Sequence, residues 1–182
     1  MTYITQYIAL NPIVSALTYH HYTLNGHEAT RKDYLSPATF TAFSEAVKLW
    51  TTSVGNLTAT ELWLGESAVS FGGGENGFTN RFIGCFLWAD KLGQAALHGI
   101  KVVVRESMFS GFYGLIGPDL LPNPDYWVCV YHKKLMGKVV LQLGTHHNDK
   151  YIKIYGHCGI VPNTITLMMI NYGHRFKKTY SL

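Results

Sequence analysis

The sequence predicts an α/β fold, with a parallel sheet built from about three βα units over residues 1–137 and antiparallel strands over 138–182. Three observations carry this expectation. Strand-like runs alternate with helical periodicity up to Gly137, the pattern of a parallel sheet with helical crossovers. The third strand-like run, "IKVVVRE", is almost continuously apolar, as in a sheet covered on both faces. After Gly137 three further runs follow one another with short polar turns and no helix between them.

Each element has a local reason. Residues 3–10 read as the end of a helix that Asn11 and Pro12 break. The β-rich run 13–22, "IVSALTYHHY", is the first strand, and Asn25-Gly26 places a turn in the loop after it. Phe40, Phe43, Ala46, Val47 and Trp50 recur at helical spacing, so 38–50 is a helix. Residues 51–60 are a polar connection, and 61–65 a second, short strand that delivers Glu66 to a turn. Thr79 or Asn80 is placed to cap a long helix whose apolar stripe runs Phe82, Cys85, Phe86, Ala89, Leu92 and Ala96, ending at Gly99. Residues 100–104 form the third strand. An aromatic loop, "SMFSGFYGLIGPDLLPNP", leads to a helix opened by Asn123 and Pro124 and stopped by Gly137. "KVVLQLGT", "KYIKIYGHC" and "TITLMMINYG" are the antiparallel strands.

Three βα units fit a segment of a (β/α)₈ barrel, which needs eight, or a smaller doubly wound sheet. With only three strands in the second module, the chain reads as a piece open at both ends.

Composition narrows the function classes. The 182 residues are 47% hydrophobic, which excludes disorder, and 12 Tyr, 9 Phe and 4 Trp suit a sugar-binding surface as well as a core. A net charge of +4 suits an anionic partner, but no dense Lys/Arg run marks a nucleic-acid site. The nearest cluster is Arg175, Lys177 and Lys178. Cys85, Cys129 and Cys158 lack CxxC spacing, and an odd count leaves one thiol without an internal partner. The pairs His20-His21 and His146-His147 cannot chelate one ion from a strand, because neighbouring residues point to opposite faces; no metal or organic cofactor is expected. The triple glycine Gly72 to Gly74 is no GxGxxG fingerprint. Asn56 opens an N-glycosylation triplet, no signal peptide is visible, and no apolar run is long enough to span a membrane.

Catalytic groups of parallel α/β sheets gather at the C-terminal ends of strands. Here the first strand ends in Tyr19-His20-His21-Tyr22, the second in Glu66, the third in Arg105-Glu106. Alternation places Leu62, Leu64 and Glu66 on one face, and likewise Val102, Val104 and Glu106. A carboxylate flanked by Arg and His suits glycoside hydrolysis, in which one carboxylate attacks the anomeric carbon and a second serves as acid, then base. The glycine run lets backbone amides approach a sugar carboxylate or sulfate.

"LTYHHYTLNG", "LWLGESAVSFGGG", "FLWADKLGQAALHGIKVVVRE", "PDYWVCVYHKKLMGKVVL" and "IKIYGHC" resemble, in order and spacing, the heparanase family of endo-β-glucuronidases, over nearly the whole chain. The resemblance implies the C-terminal part of a (β/α)₈ TIM barrel, about the last three βα units, in 1–137, followed by the start of an antiparallel β-sandwich in 138–182. It implies a retaining mechanism on heparan sulfate or a related acidic glycosaminoglycan, without cofactor or metal, in a secreted, extracellular-matrix or lysosomal protein. Glu66 matches the nucleophile and His20 the active-site histidine. Gly72 and Gly73 match glycines that meet acidic groups of the substrate through N–H, and Gly111 and Tyr113 a sugar-contacting G-x-Y. Arg105 matches a position in the last barrel strand, and Cys158 a cysteine bonded to one beyond residue 182. The acid/base glutamate belongs to the N-terminal barrel half, which this chain lacks, so the isolated chain is expected to be inactive. Three departures touch the substrate surface: His27 for Arg, Glu106 for Gln and Phe71 for Tyr. They motivate the alternative of a relative that binds heparan sulfate without cutting it.

Overall fold

The computed structural model describes residues 14–54, 60–144 and 149–173. The expected helix at 3–10, the Asn56 triplet, the His146-His147 pair and the basic cluster after residue 173 lie outside them. Strands β1 (Ala16–Asn25), β2 (Glu61–Phe71) and β3 (Val102–Arg105) form a parallel sheet in the order β1-β2-β3. Between them run α1 (Arg31–Tyr34) and α2 (Pro37–Val54), then α3 (Phe82–Leu97). Helix α4 (Pro124–Leu135) leads into an antiparallel sheet of β4 (Met136–Leu141), β5 (Ile152–Gly159) and β6 (Ile165–Asn171). The mixed α/β expectation, parallel sheet first and antiparallel strands after, agrees with this order. Among the described residues no helix is long and apolar enough to cross a membrane.

Several boundaries differ for physical reasons. Strand β2 runs six residues past 65, so Glu66 lies inside the strand and the glycine loop starts directly at its end. Pairing passes from Tyr19↔Leu64 to His20↔Glu66, which makes Gly65 an extra residue in β2. Such a bulge reverses the alternation. Leu62 and Leu64 pack with Phe43, Val47, Ala95 and Ile100, while Glu66 emerges on the other face. The expectation that Leu62, Leu64 and Glu66 share a face is therefore overturned.

Thr79 and Asn80 do not cap α3; Arg81 holds the N-cap position. Thr79 Oγ is spent on Glu75 and Phe112, and Asn80 accepts from the Gly77 amide. The one-turn helix α1 was not expected. It closes on a capping box between Thr30 and Asp33. Gly137 does not stop α4 as a terminator, because it already belongs to β4.

Helix α3 is the centre of the molecule. The predicted stripe would leave its other face wet, yet Asp90, Lys91, Gly93 and Gln94 are buried and Phe82 is 67% exposed. The reason is a second partner. One side of α3 packs on the parallel sheet and the other on the antiparallel one, so a single core joins Tyr34, Phe40, Val69 and Trp88 to Tyr155, Ile170 and Tyr172. The rings of Phe40 and Tyr172 stack at 3.7 Å. Each such large apolar side chain contributes roughly 1.5–3 kcal/mol by leaving water.

The Asp90, Gln94 and Tyr155 side chains inside this seam are partners of one another, while the buried Tyr34 hydroxyl has no partner among the described residues. Tyr155 donates its hydroxyl to Asp90 and accepts from Gln94 Nε2 at 3.0 Å. Gly93 makes room for the ring: a Cβ there would lie 2.3 Å from Tyr155 Cγ. Burial pushes the Asp90 carboxyl up from 3.8 to about 6, against the opposing Tyr155 hydrogen bond and the charges of Lys153 and Lys91. A folded-state value above the unfolded one means that this contribution is fully present below about pH 4 and is lost as pH rises through about 6. Urea denaturation should show it as a wild-type stability that falls on the order of 1–3 kcal/mol relative to Asp90→Asn between pH 4 and pH 7. A constant gap between the two proteins over that range would contradict the assignment.

Candidate functional site

Glu66 stands on the open face of the parallel sheet, 36% exposed, beside the two alternate residues of β1 that share its face. His20 is its cross-strand pair, with Nδ1 3.5 Å from Oε2. Tyr22, two residues on, donates its hydroxyl to Oε1. The Tyr22 hydroxyl is held well above the ordinary phenol range by burial, by its bond to Glu66 and by the negative charges of Glu66 and Glu106. It therefore stays a donor at any physiological pH. Burial and the same two carboxylates also raise Tyr113. Glu66, Glu106, Tyr22 and Tyr113 thus form one electrostatic neighbourhood.

The glycine loop forms the rim. Gly72, Gly73 and Gly74 all have φ between +76° and +87°, a region costly for side chains with a Cβ. Three neighbours crowd this turn. The His27 ring lies over Gly72, where a Cβ would meet Nε2 at 2.5 Å. The Phe112 amide donates to Gly73 O at 2.6 Å. A Cβ on Gly111 would lie 2.7 Å from that same oxygen. The amides of Gly72 and Gly73 donate to no group among the described residues. Phe71, at the end of β2, sets its ring edge-on to Tyr22 at 6.5 Å.

The structure therefore assembles His20, His27, Glu66, Phe71, Gly72, Gly73, Glu106, Gly111 and Tyr113 around the C-terminal end of one sheet. It does not bring Arg105 there. Arg105 pairs with Ser67 in the ladder and turns to the helix side, with its side chain 8% exposed. Its guanidinium donates to Asp125 Oδ2 at 2.5 Å and to Tyr113 O at 2.6 Å, and lies 4.6 Å from the Trp88 ring centroid. Its reach to this surface is indirect, through the Tyr113 backbone. Cys158 lies in β5 of the other sheet, and the three thiols are free. The site residue that sequence reasoning named at a strand end but gave no role is Tyr22. Its signal was present: two residues after His20 on a strand, it must share that histidine's face. His21 faces the opposite way, against Phe43 at 4.9 Å, and burial and then the Lys91 charge push its imidazole down to about 4. Among the described residues no group of three or more His, Cys, Asp or Glu side chains could hold a metal ion.

The crowding of the rim separates two neighbouring glycines. A Cβ on Gly74 would meet Thr79 Oγ and the Tyr113 amide at 2.6 Å, whereas one on Gly73 would meet open space. Gly73→Ala should cost only the left-handed backbone, about 1–2 kcal/mol. Gly74→Ala should cost at least about 1 kcal/mol more, because two loops must part. Denaturant midpoints of the two variants check the order.

No protein-family model matches the chain. Heparanase of Gallus gallus is 38% identical over 151 residues, covering 80% of this chain and 28% of that protein. Baicalin-beta-D-glucuronidase of Scutellaria baicalensis is 33% identical over 92% of this chain, and inactive heparanase-2 of Mus musculus 30% over 93%. The chain spans about a third or less of the length of each. In fold it is similar to a 4-O-alpha-L-rhamnosyl-beta-D-glucuronidase from Fusarium oxysporum, with a TM-score of 0.62 over 89% of this chain and 35% of that one, at 14% identity. At 37–38% identity over 80% of its length, the chain is a homologue of the heparanases.

Proposed function

We propose that this chain is the nucleophile-bearing part of a retaining endo-β-glucuronidase that cleaves heparan sulfate or a related acidic glycosaminoglycan. The observation that supports it best is Glu66, held by His20 and Tyr22 on the strand that ends in Gly72 and Gly73, whose amides have no partner among the described residues. In this reading β1, β2 and β3 are the last strands of a (β/α)₈ barrel within 1–137, and β4, β5 and β6 open a β-sandwich within 138–182. Glu66 attacks the anomeric carbon and the glycosidic oxygen leaves with a proton from a second carboxylate, ~5–5.5 Å away. Water then hydrolyses the glycosyl-enzyme as that second group takes the proton back. The second carboxylate comes from the part of the heparanases that this chain does not span, and the partner of Cys158 lies there as well. The Gly72 and Gly73 amides receive the sugar carboxylate, with His27, Tyr113 and Gly111 at its edge. Such a substrate places the parent protein outside the cell or in the lysosome.

A second reading, glycan binding without cleavage, draws support from Glu106, a second negative charge beside Glu66, and from a relative that is named inactive. Glu66→Gln in the complete protein decides between them. Hydrolysis of a β-glucuronide should fall at least about 10³-fold with the fold intact, since a lost nucleophile removes the covalent step. A complete wild-type protein that binds the glycan and leaves it uncut supports the second reading. The isolated 182 residues should show no turnover in either case.

A further inference from the structure

Lys91 is a buried cation that the proposed chemistry does not use. It stands on α3, 1% exposed, with its side chain reaching up beneath the parallel sheet. Its Nζ donates to His21 O at 3.1 Å, Ser67 Oγ at 2.9 Å and Ala68 O at 2.7 Å. Those acceptors flank the candidate site from behind. His21 lies between His20 and Tyr22, the two partners of Glu66, and Ser67 and Ala68 directly follow Glu66. Ser67 Oγ itself donates to His21 O at 2.7 Å, so one ammonium and one hydroxyl join β1 and β2 at the level of the carboxylate.

The bulge explains why such a clamp is needed. An extra residue interrupts the ladder at Gly65, one position before Glu66, and leaves the strand there under-determined by its own backbone bonds. No side chain fits at Gly65, because a Cβ placed on it would lie 2.9 Å from Thr18 Cβ. An ammonium has three N–H donors and this site offers three acceptors, which satisfies the ion fully. Burial and the Arg105 charge push Lys91 well below its ordinary range, while Asp90 opposes them. For packing alone a methionine would fill the same space without the several kcal/mol of desolvation that a buried ion costs.

We infer that Lys91 is a positioning residue, which fixes β2 against β1 across the bulge and so holds Glu66 in register with His20 and Tyr22. The inference rests on the proposed role of Glu66. Its test therefore combines a readout that needs no catalysis with one that does. In the complete protein, the proton bridging Tyr22 and Glu66 should give a downfield ¹H resonance, assigned by its loss in Tyr22→Phe. Lys91→Met should remove that resonance while the circular dichroism spectrum stays that of wild type. With 2,4-dinitrophenyl β-D-glucuronide, whose leaving group departs without protonation, kcat should fall about 10–100-fold and KM stay within about twofold. If Lys91→Met does not fold, Ser67→Ala removes one acceptor and the bridge to His21, and should broaden the resonance and lower kcat by about 3–10-fold. A folded Lys91→Met, or failing that a folded Ser67→Ala, that keeps both the resonance and kcat overturns the inference. So does a wild type without the resonance. A resonance that responds to Lys91→Met in a protein that leaves the glucuronide intact keeps the inference and sinks the hydrolase reading.

Discussion

The extra residue at Gly65 governs what the parallel sheet presents. Below it, Leu62 and Leu64 belong to the helix-facing core with Tyr19. Above it, the acid emerges on the opposite face, next to His20. Without the bulge, strict alternation would put a carboxylate among Phe43 and Val47, where an isolated charge is untenable. One residue of register thus converts a core strand into a strand that carries an acid. The same slip weakens the ladder where the acid stands, so the surroundings must supply the missing definition.

Helix α3 supplies it and is itself fixed from both sides. Its Lys91 reaches the parallel sheet and its Asp90 and Gln94 reach Tyr155 of the antiparallel one. Adjacent residues of one helix therefore tie two sheets to a common element. A polar seam of this kind is stiff when every member is satisfied and costly when one is not. The two sheets consequently behave as one packed body around α3, with Phe40 and Tyr172 stacked across it.

Much of this was legible in the sequence. Alternating strands and helices, the change of texture after Gly137 and the cluster of His20, Glu66 and Gly72 at one sheet end all follow from local pattern. What was not legible has a common cause. The bulge depends on pairing with β1, which a single strand's alternation does not encode. The burial of Asp90, Lys91 and Gln94 depends on a second sheet packing on α3, and a helical wheel that assumes one buried face assigns these residues to solvent. Arg105 was read as a substrate contact from its place at a strand end, but its ladder partner Ser67 shows that it belongs to the helix side. Tyr22 lies two residues after His20, so strand alternation puts the two on one face.

Under the proposed function, the charges around Glu66 bear on how an acidic sugar would be recognised. Among the described residues, Glu66, Glu106 and Tyr113 raise the Tyr22 hydroxyl, and the cation that acts on Tyr113 is Arg105, which is committed to Asp125. A sugar carboxylate approaching this surface meets two negative side chains. In that reading, the attraction supplied by the described residues comes from dipoles. The unpartnered amides of Gly72 and Gly73 are such dipoles, and their aim is set by backbone that only glycine adopts at low cost. Dipoles fall off faster with distance than charges do, so recognition of this kind reads one well-placed acidic group and is insensitive to the rest of an anionic chain. The three departures expected from the resemblance, at His27, Phe71 and Glu106, act in the same direction in that reading. Each would remove a cation or a donor, or add an anion, so the proposed contact with the sugar carboxylate falls to the glycine amides.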